Sequence, residues 1–378
     1  MRDEILAEIT AVCDSQAFIL GPKVAELEEK IAALCGGWAV AASSGTDAPL
    51  LIMMAMVIGP GDAVITSPFT FFSTAGCVSR LGAKPIFVDI EPDSFNLDPV
   101  KLEEFLECSC IRTPKGLVNQ QGLVIRAVIP VHLFGLCCDM DRINEVCAAY
   151  EIPVIEDAAQ AIGAEYPSRT GLKRAGGLGQ FSFFSFYPTK NLGAFGDAGV
   201  AVAADRMAAG KMKTLRNHGM EPRYFHEFIG GNFRLDALQA AVLLRKLPYL
   251  ERWSRRRWDI AQRYRELLSG VPGDLTLPAE PYRTACKARG HIFHQFVIRT
   301  GQRDALRGYL GDHGIGSEVY YPVALHRQKC FAYLRYLQGD FPWAERAADQ
   351  SLALPIFPEL TDEEVDLVGK TILSFVQR

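Results

Sequence analysis

Apolar residues recur along this chain in two rhythms. Ile5, Ile9 and Val12, and then Val24, Leu27, Ile31 and Leu34, return at the spacing that lines one face of a helix. An apolar arm, Phe18 to Pro22, separates the two. From Ala39 onward, short apolar runs bounded by turn residues take over. Ala39–Ala42, Ala63–Thr66, Lys84–Ile90, Leu123–Val131, Val154–Asp157 and Val200–Ala203 read as strands. Between them lie helical stretches: one holding Leu50 to Ile58, one opening after Pro99, and one from Asp139 to Tyr150. This alternation runs to Asp205 without a repeat or low-complexity segment, and predicts an α/β fold with a mostly parallel sheet and helices on both faces. The polar stretch Tyr166 to Gly171 reads as a crossover loop.

The pattern changes after Leu247-Pro248, where an arginine-rich helix begins, so the domain boundary is expected near Leu250. Residues 1–250 would form an N-terminal arm and a large domain, and residues 251–378 a small α+β domain. In the latter, His291–Arg299 and Gly316–Tyr321 read as strands, with a helix carrying Leu306 and Leu310 between them. Thr361-Asp362-Glu363-Glu364 fits a capping box, followed by the apolar face of Val365, Val368, Ile372 and Phe375.

Composition narrows the function. A chain of 378 residues that is 49% hydrophobic can bury a large core. With 40 basic against 44 acidic residues it carries a formal charge of -4, which leaves no nucleic-acid footprint. Arg255-Arg256-Arg257 reads as a solvated helix face. The ten cysteines are scattered without C-x-x-C spacing, as expected of reduced thiols in a cytoplasmic protein, and no His/Cys pattern suggests a metal site. The start lacks the apolar region of a signal peptide. The longest apolar run, Leu50 to Ile58, falls short of the ~20 residues that span a bilayer, so no membrane association is expected.

The chemistry is concentrated between Gln180 and Gly199. Aromatics and serines make a buried strand, Pro188 stops it, and Lys190 follows on an apolar shoulder. Desolvation there favours a neutral, nucleophilic amine. The strand Val154 to Asp157 ends in a carboxylate, and in an open α/β sheet both strand ends face one crevice. An amine for a Schiff base and an acid for a pyridinium nitrogen are what pyridoxal phosphate asks of a protein. Ser43-Ser44-Gly45-Thr46-Asp47 turns from a strand into a helix, where free N–H groups favour a phosphate. Taken alone, that segment is an ordinary helix cap.

Four blocks carry a resemblance: Ser44 to Ala48, Glu156 to Gln160, Ser185 to Gly193, and Gly231 to Asp236. In type and order they resemble the signature blocks of the DegT/DnrJ/EryC1/StrS sugar aminotransferases, over nearly the whole chain. The resemblance implies the aspartate aminotransferase-like PLP-transferase fold (fold type I) and a homodimer with shared active sites. It makes Lys190 the catalytic lysine, with Asp157 on the ring nitrogen and Gln160 on the phenolic oxygen. Gly45, Thr46 and Ser185 would hold the phosphate, and Phe71 would stack on the ring, although without the family it reads as core. Asn232 would reach the neighbouring subunit's cofactor phosphate and Arg234 would lie near the sugar; their plainer readings are a helix cap and a solvated residue. Tyr320, Tyr321 and His326 match the segment near the substrate, with His326 equally readable as structural.

Within the family the text looks closest to enzymes that move an amino group from glutamate to a 3-oxo nucleotide sugar, such as UDP-2-acetamido-3-oxo-glucuronate. The alternatives are a 4-keto-sugar or cyclitol aminotransferase, or a non-catalytic regulatory homologue. Relatives with histidine in place of the lysine dehydrate instead, and this chain keeps the lysine. Pro49 and Leu136 depart from the family's usual residues.

Overall fold

The computed structural model describes residues 1–270 and 274–377. Up to residue 203 its strands are β1 (Trp38–Ala42), β2 (Asp62–Thr66), β3 (Lys84–Phe87), β4 (Cys110–Thr113), β5 (Gly116–Asn119), β6 (Val124–Ile129), β7 (Ile155–Asp157), β8 (Glu165–Ser168), β9 (Gly171–Arg174), β10 (Phe181–Ser185) and β11 (Gly199–Ala203). β3, β2 and β6 lie side by side and parallel, as do β7 and β10. Parallel bridges at Val128–Val154 and Val131–Asp157 join the two groups. β11 runs antiparallel to both β10 and β1. The layer therefore reads β3-β2-β6-β7-β10-β11-β1, with β11 alone reversed.

The strand rhythm assigns side chains to faces. Ala39 and Ala41 of β1, Ala63 and Ile65 of β2, and Val200 and Val202 of β11 join one apolar cluster. Val40, Val64, Ala201 and Ala203 join the other. In β6 the alternation breaks, with Ile125 and Val128 on one face and Ala127 and Ile129 on the other. The register against β2 slips between Ala63 and Val64, and such an extra residue reverses a strand's facing. Helices Pro22–Cys35, Pro99–Ser109, Met140–Ala149 and Ala237–Lys246 cover the first face. Asp47–Ala55, Phe72–Arg80 and Arg206–Arg216 cover the second. Because the parallel strands all end at one edge, the loops after β1, β2, β6, β7 and β10 gather there, where ligands bind in open α/β sheets.

Two hairpins were not foreseen. β4 and β5 pair as an antiparallel spur, and the stretch expected to be a crossover loop is the hairpin β8–β9. β9 is largely exposed, so no apolar alternation marks it in the sequence. The glycines that follow wrap a buried anion. The N–H groups of Gly176, Leu178 and Gly179 donate to the Glu156 carboxylate at 2.7, 2.6 and 2.7 Å.

Further along, β12 (Phe296–Arg299) and β13 (Ser351–Leu354) pair antiparallel under the helices Leu250–Leu268, Arg303–Asp312 and Asp362–Val376. Tyr264, Phe296, Leu310, Leu352 and Ile372 meet in a separate apolar core. Gly316–Tyr321, expected as a strand, forms among the described residues a single backbone bridge to this sheet, Glu318–Ala353; β13 takes the place it was expected to fill. The capping box at Thr361 forms on both sides, at 2.8 and 3.2 Å. Among the described residues no helix is long and apolar enough to cross a membrane.

Candidate active site

A cavity of about 1200 Å³ opens over the strand ends, lined by Gly45, Thr46, Phe71, Asp157, Gln160, Ser185, Lys190, Tyr320 and Tyr321 among others. Each residue arrives there by a local device. After β1, the Ser44 hydroxyl accepts from the N–H groups of Thr46 and Asp47 at 3.2 and 3.0 Å, while Ser43 and Ser44 donate to the Asp47 carboxylate at 2.6 and 2.9 Å. This folds the loop onto the start of helix Asp47–Ala55. Gly45 lies so close to the end of β10 that an added Cβ would stand 2.4 Å from the Ser185 Cβ and 2.5 Å from its Oγ. Only glycine permits that approach, and it brings the Ser185 hydroxyl beside the helix start.

Asp157 ends β7 in the register position opposite Phe183 of β10, and is almost wholly buried. Its Oδ2 accepts from the Thr74 hydroxyl at 2.7 Å and its Oδ1 from the Ala159 N–H at 3.1 Å. Burial pushes its carboxyl pKa up, and Thr74, Ala159, Lys190 and His132 oppose that rise. Three residues on, Gln160 Oε1 accepts from the Phe134 N–H at 2.6 Å, and its Nε2 donates to the Tyr321 hydroxyl at 3.1 Å. The amide is thus fixed with its NH₂ toward the cavity wall.

β10 ends at Ser185, three residues before Pro188. The chain then turns, with the Lys190 N–H donating to the Tyr187 carbonyl at 2.8 Å. Desolvation lowers the Lys190 amine from 10.5 to about 8, against the pull of Asp157. Desolvation wins, so part of the population carries a free amine near neutral pH. The amine and the carboxylate expected in one crevice do line one crevice.

The sequence profile described as the DegT/DnrJ/EryC1/StrS aminotransferase family matches residues 1–373. The chain belongs to that family. It is 42% identical over 99% of its length to a "Pleiotropic regulatory protein" of Geobacillus stearothermophilus, covering 95% of that protein. It is 40% identical over 98% of its length to the UDP-N-acetyl-3-dehydro-alpha-D-glucosamine 3-aminotransferase of Acidithiobacillus ferrooxidans, covering 94% of it. The crystal structure of DesV from S. venezuelae, in complex with a ketimine intermediate, superposes with a TM-score of 0.90 at 37% identity, covering all of this chain and 95% of that one. This DegT/DnrJ/EryC1/StrS protein is an aminotransferase with the PLP-transferase fold, and its cofactor is pyridoxal phosphate.

The residues present fit that cofactor. Gly45, Thr46 and Ser185 leave a polar cradle at a helix start for a phosphate. Asp157 is a buried carboxyl group held by Thr74 and Ala159, and Lys190 an amine with a lowered proton affinity. Phe71, half-exposed at the cavity edge with its ring 6.3 Å from that of Tyr321, is free to cover a planar ring.

Three expected residues are not brought to the cavity of this chain. Asn232 is exposed and pairs with Asn217 in a backbone bridge, and the helix it was thought to cap starts later, after Asp236. Arg234 donates to Asn217 Oδ1 at 2.8 Å. His326 is enclosed, bonded to Glu345 at 2.9 Å and packed on Phe341, so its expected contact with a sugar is withdrawn. Conversely, Thr74, Arg257 and His294 belong to the site and were not foreseen. Arg257, read as part of a solvated face, is buried. It shares the helix stripe of Ser254, Ala261, Tyr264 and Leu268, all buried or nearly so, and that spacing was the available signal.

Proposed function

We propose that this aminotransferase moves an amino group from glutamate to the 3-oxo position of a nucleotide sugar. The carrying observation is Lys190 and Asp157 lining one cavity over the ends of adjacent parallel strands. The Acidithiobacillus relative, named as a 3-aminotransferase of a UDP-sugar, supports the choice of carbon. Lys190 would hold the cofactor through its amine, and the same amine, when free, would move the proton between the donor's Cα and the cofactor's C4′. Asp157 keeps the ring nitrogen protonated, helped by Thr74, which holds the carboxylate ionised and aimed. Gln160 donates from Nε2 to the phenolic oxygen, Phe71 covers the ring, and Gly45, Thr46 and Ser185 bind the phosphate. When bound, pyridoxal phosphate supplies the electron sink for the carbanion left at Cα. Tyr320 and Tyr321 line the side where the sugar enters.

On the same reading the protein is a homodimer. Tyr224, Phe225 and Ile229 are 73, 69 and 95% exposed on one segment, a grouping of apolar side chains that suits contact with a second copy. Asn232 and Arg234, a few residues on, then serve the neighbour's site. Residues 1–250 and 251–378 form the large and small domains, a division the separate core around Tyr264 and Phe296 supports. A regulatory role is the second reading, favoured by the name of the Geobacillus relative. Screening nucleotide amino sugars with 2-oxoglutarate in the reverse direction tests the proposal. Turnover of 3-amino sugars is expected; turnover of 4-amino sugars alone would move the amination site, and none at all would favour the regulatory reading.

A further inference from the structure

His294 lines the active cavity and carries one ring nitrogen that nothing among the described residues uses. Its other nitrogen settles which atom holds the proton. Asn191, the residue after Lys190, is 7% exposed, and its Nδ2 donates to the Ile292 carbonyl at 3.3 Å. A carbonyl has no proton to give, so the amide is fixed with its Oδ1 toward His294 Nδ1, 2.9 Å away. Nδ1 must therefore be the protonated nitrogen, which leaves Nε2 as a bare acceptor. The histidine is 9% exposed. Nε2 makes no hydrogen bond, yet it is not one of the enclosed atoms left without a partner, so the surface it keeps opens on the cavity. The His294 carbonyl in turn accepts from Arg257 Nη1 at 3.3 Å, which holds the backbone behind the ring.

The ring also stays neutral. Burial, Lys190 and Arg257 all push its pKa well below 6.5, so Nε2 keeps its lone pair near neutral pH. Three other acceptors of the cavity are already taken: Asp157 by Thr74 and Ala159, Gln160 Oε1 by the Phe134 N–H, and Glu318 by Arg307 and the Val319 N–H. Because His294 is bonded to the neighbour of Lys190, its free acceptor faces the groups that flank the carbon Lys190 serves. We propose that His294 Nε2 determines specificity by accepting a hydrogen bond from a sugar hydroxyl on a carbon next to the one aminated. The proposal rests on the aminotransferase reading and states what the sugar must carry. A neutral acceptor suits this place, since it reads a hydroxyl without competing with Lys190 as a base. A sugar that lacks the hydroxyl leaves a desolvated acceptor unpaired, and that is how a site rejects such an analogue.

Two variants divide the ring's two functions. His294→Asn keeps a donor where Nδ1 stands and removes the acceptor, whereas His294→Gln keeps a polar end near Nε2 and gives up the bond to Asn191. With holoenzyme and 2-oxoglutarate, kcat/KM is measured in the reverse direction for two pairs of nucleotide 3-amino sugars. One pair differs only in the C4 hydroxyl, the other only in a C2 hydroxyl. Wild type should prefer the hydroxyl-bearing member of one pair by roughly tenfold to a hundredfold, the cost of an acceptor left unpaired. His294→Asn should erase that preference, and His294→Gln should retain part of it. No preference in wild type overturns the proposal, as does one that survives His294→Asn because both members slow equally, the mark of a merely structural residue. Should the variants fail to fold, a crystal of wild-type holoenzyme with the preferred amino sugar decides. A sugar hydroxyl on Nε2 supports the assignment, and Nε2 facing Lys190 or water alone refutes it. If wild type turns over no 3-amino sugar, the functional reading fails instead. Calorimetric binding of the same pairs to wild type and His294→Asn then judges the acceptor on its own: an affinity difference lost in the variant supports it, and an unchanged one refutes it.

Discussion

Replacing Lys190 by methionine should stabilise the cofactor-free protein, and by an amount that depends on pH. The drop in the amine's proton affinity from 10.5 to about 8 means that the folded state disfavours the charged lysine by about 3 kcal/mol, at about 1.4 kcal/mol per pH unit. Water in the open cavity trims this to roughly 2–3 kcal/mol. The sign follows from linkage: between pH 8 and 10.5 the unfolded chain binds the proton that the folded chain has released, so wild-type stability rises with pH across that window. Below pH 8 the full penalty is present. The methionine side chain has no such titration, so Lys190→Met should exceed wild type by roughly 2–3 kcal/mol at pH 7, and the gain should shrink at pH 10, where the folded wild type has released the proton and most of the penalty is gone. A small offset comes from Asp157, which loses a favourable charge, but Lys190 ranks behind Thr74 and Ala159 among the groups that hold its affinity down. Urea unfolding of both cofactor-free proteins at the two pH values checks this. An equal difference at pH 7 and pH 10 would refute the claim that Lys190 sits desolvated.

Other outcomes follow from the same geometry. Gly45→Ala forces a Cβ to within 2.4 Å of Ser185; the loop must shift, and cofactor binding measured by equilibrium dialysis should weaken by roughly tenfold or more, since overpacking costs about 1–3 kcal/mol. Thr74→Val removes a bond that lowers the Asp157 pKa, so the acidic limb of the rate profile with glutamate should move to higher pH, with little change on the alkaline side. Ile229→Asp places a charge on a 95% exposed apolar position; sedimentation should show dissociation toward monomer, together with loss of cofactor if the partner completes the site.

How much of this was legible in the chain depends on how each element is buried. The central strands announce themselves because β1, β2 and β11 are apolar on both faces, and Thr361 marks a helix start with a capping box that forms as expected. Asp157 was readable because it closes a recognisable buried strand, and Lys190 because it follows one just past Pro188. The hairpin β8–β9 was not, since its exposed second strand carries no alternation. Gly316–Tyr321 has strand composition but meets the sheet at a single bridge, because the register partner of β12 is supplied by Ser351–Leu354. Arg257 was hidden for a different reason: three consecutive arginines look like a solvated run, and only the apolar company at positions 261, 264 and 268 shows that one of them points inward.

The most direct test of the account is to reduce the purified holoenzyme with borohydride and map the modified peptide by mass. The cofactor should be found on Lys190, within the segment Tyr187 to Gly193. Cofactor fixed to another lysine, or a protein that retains Lys190 unmodified after reduction, would contradict it.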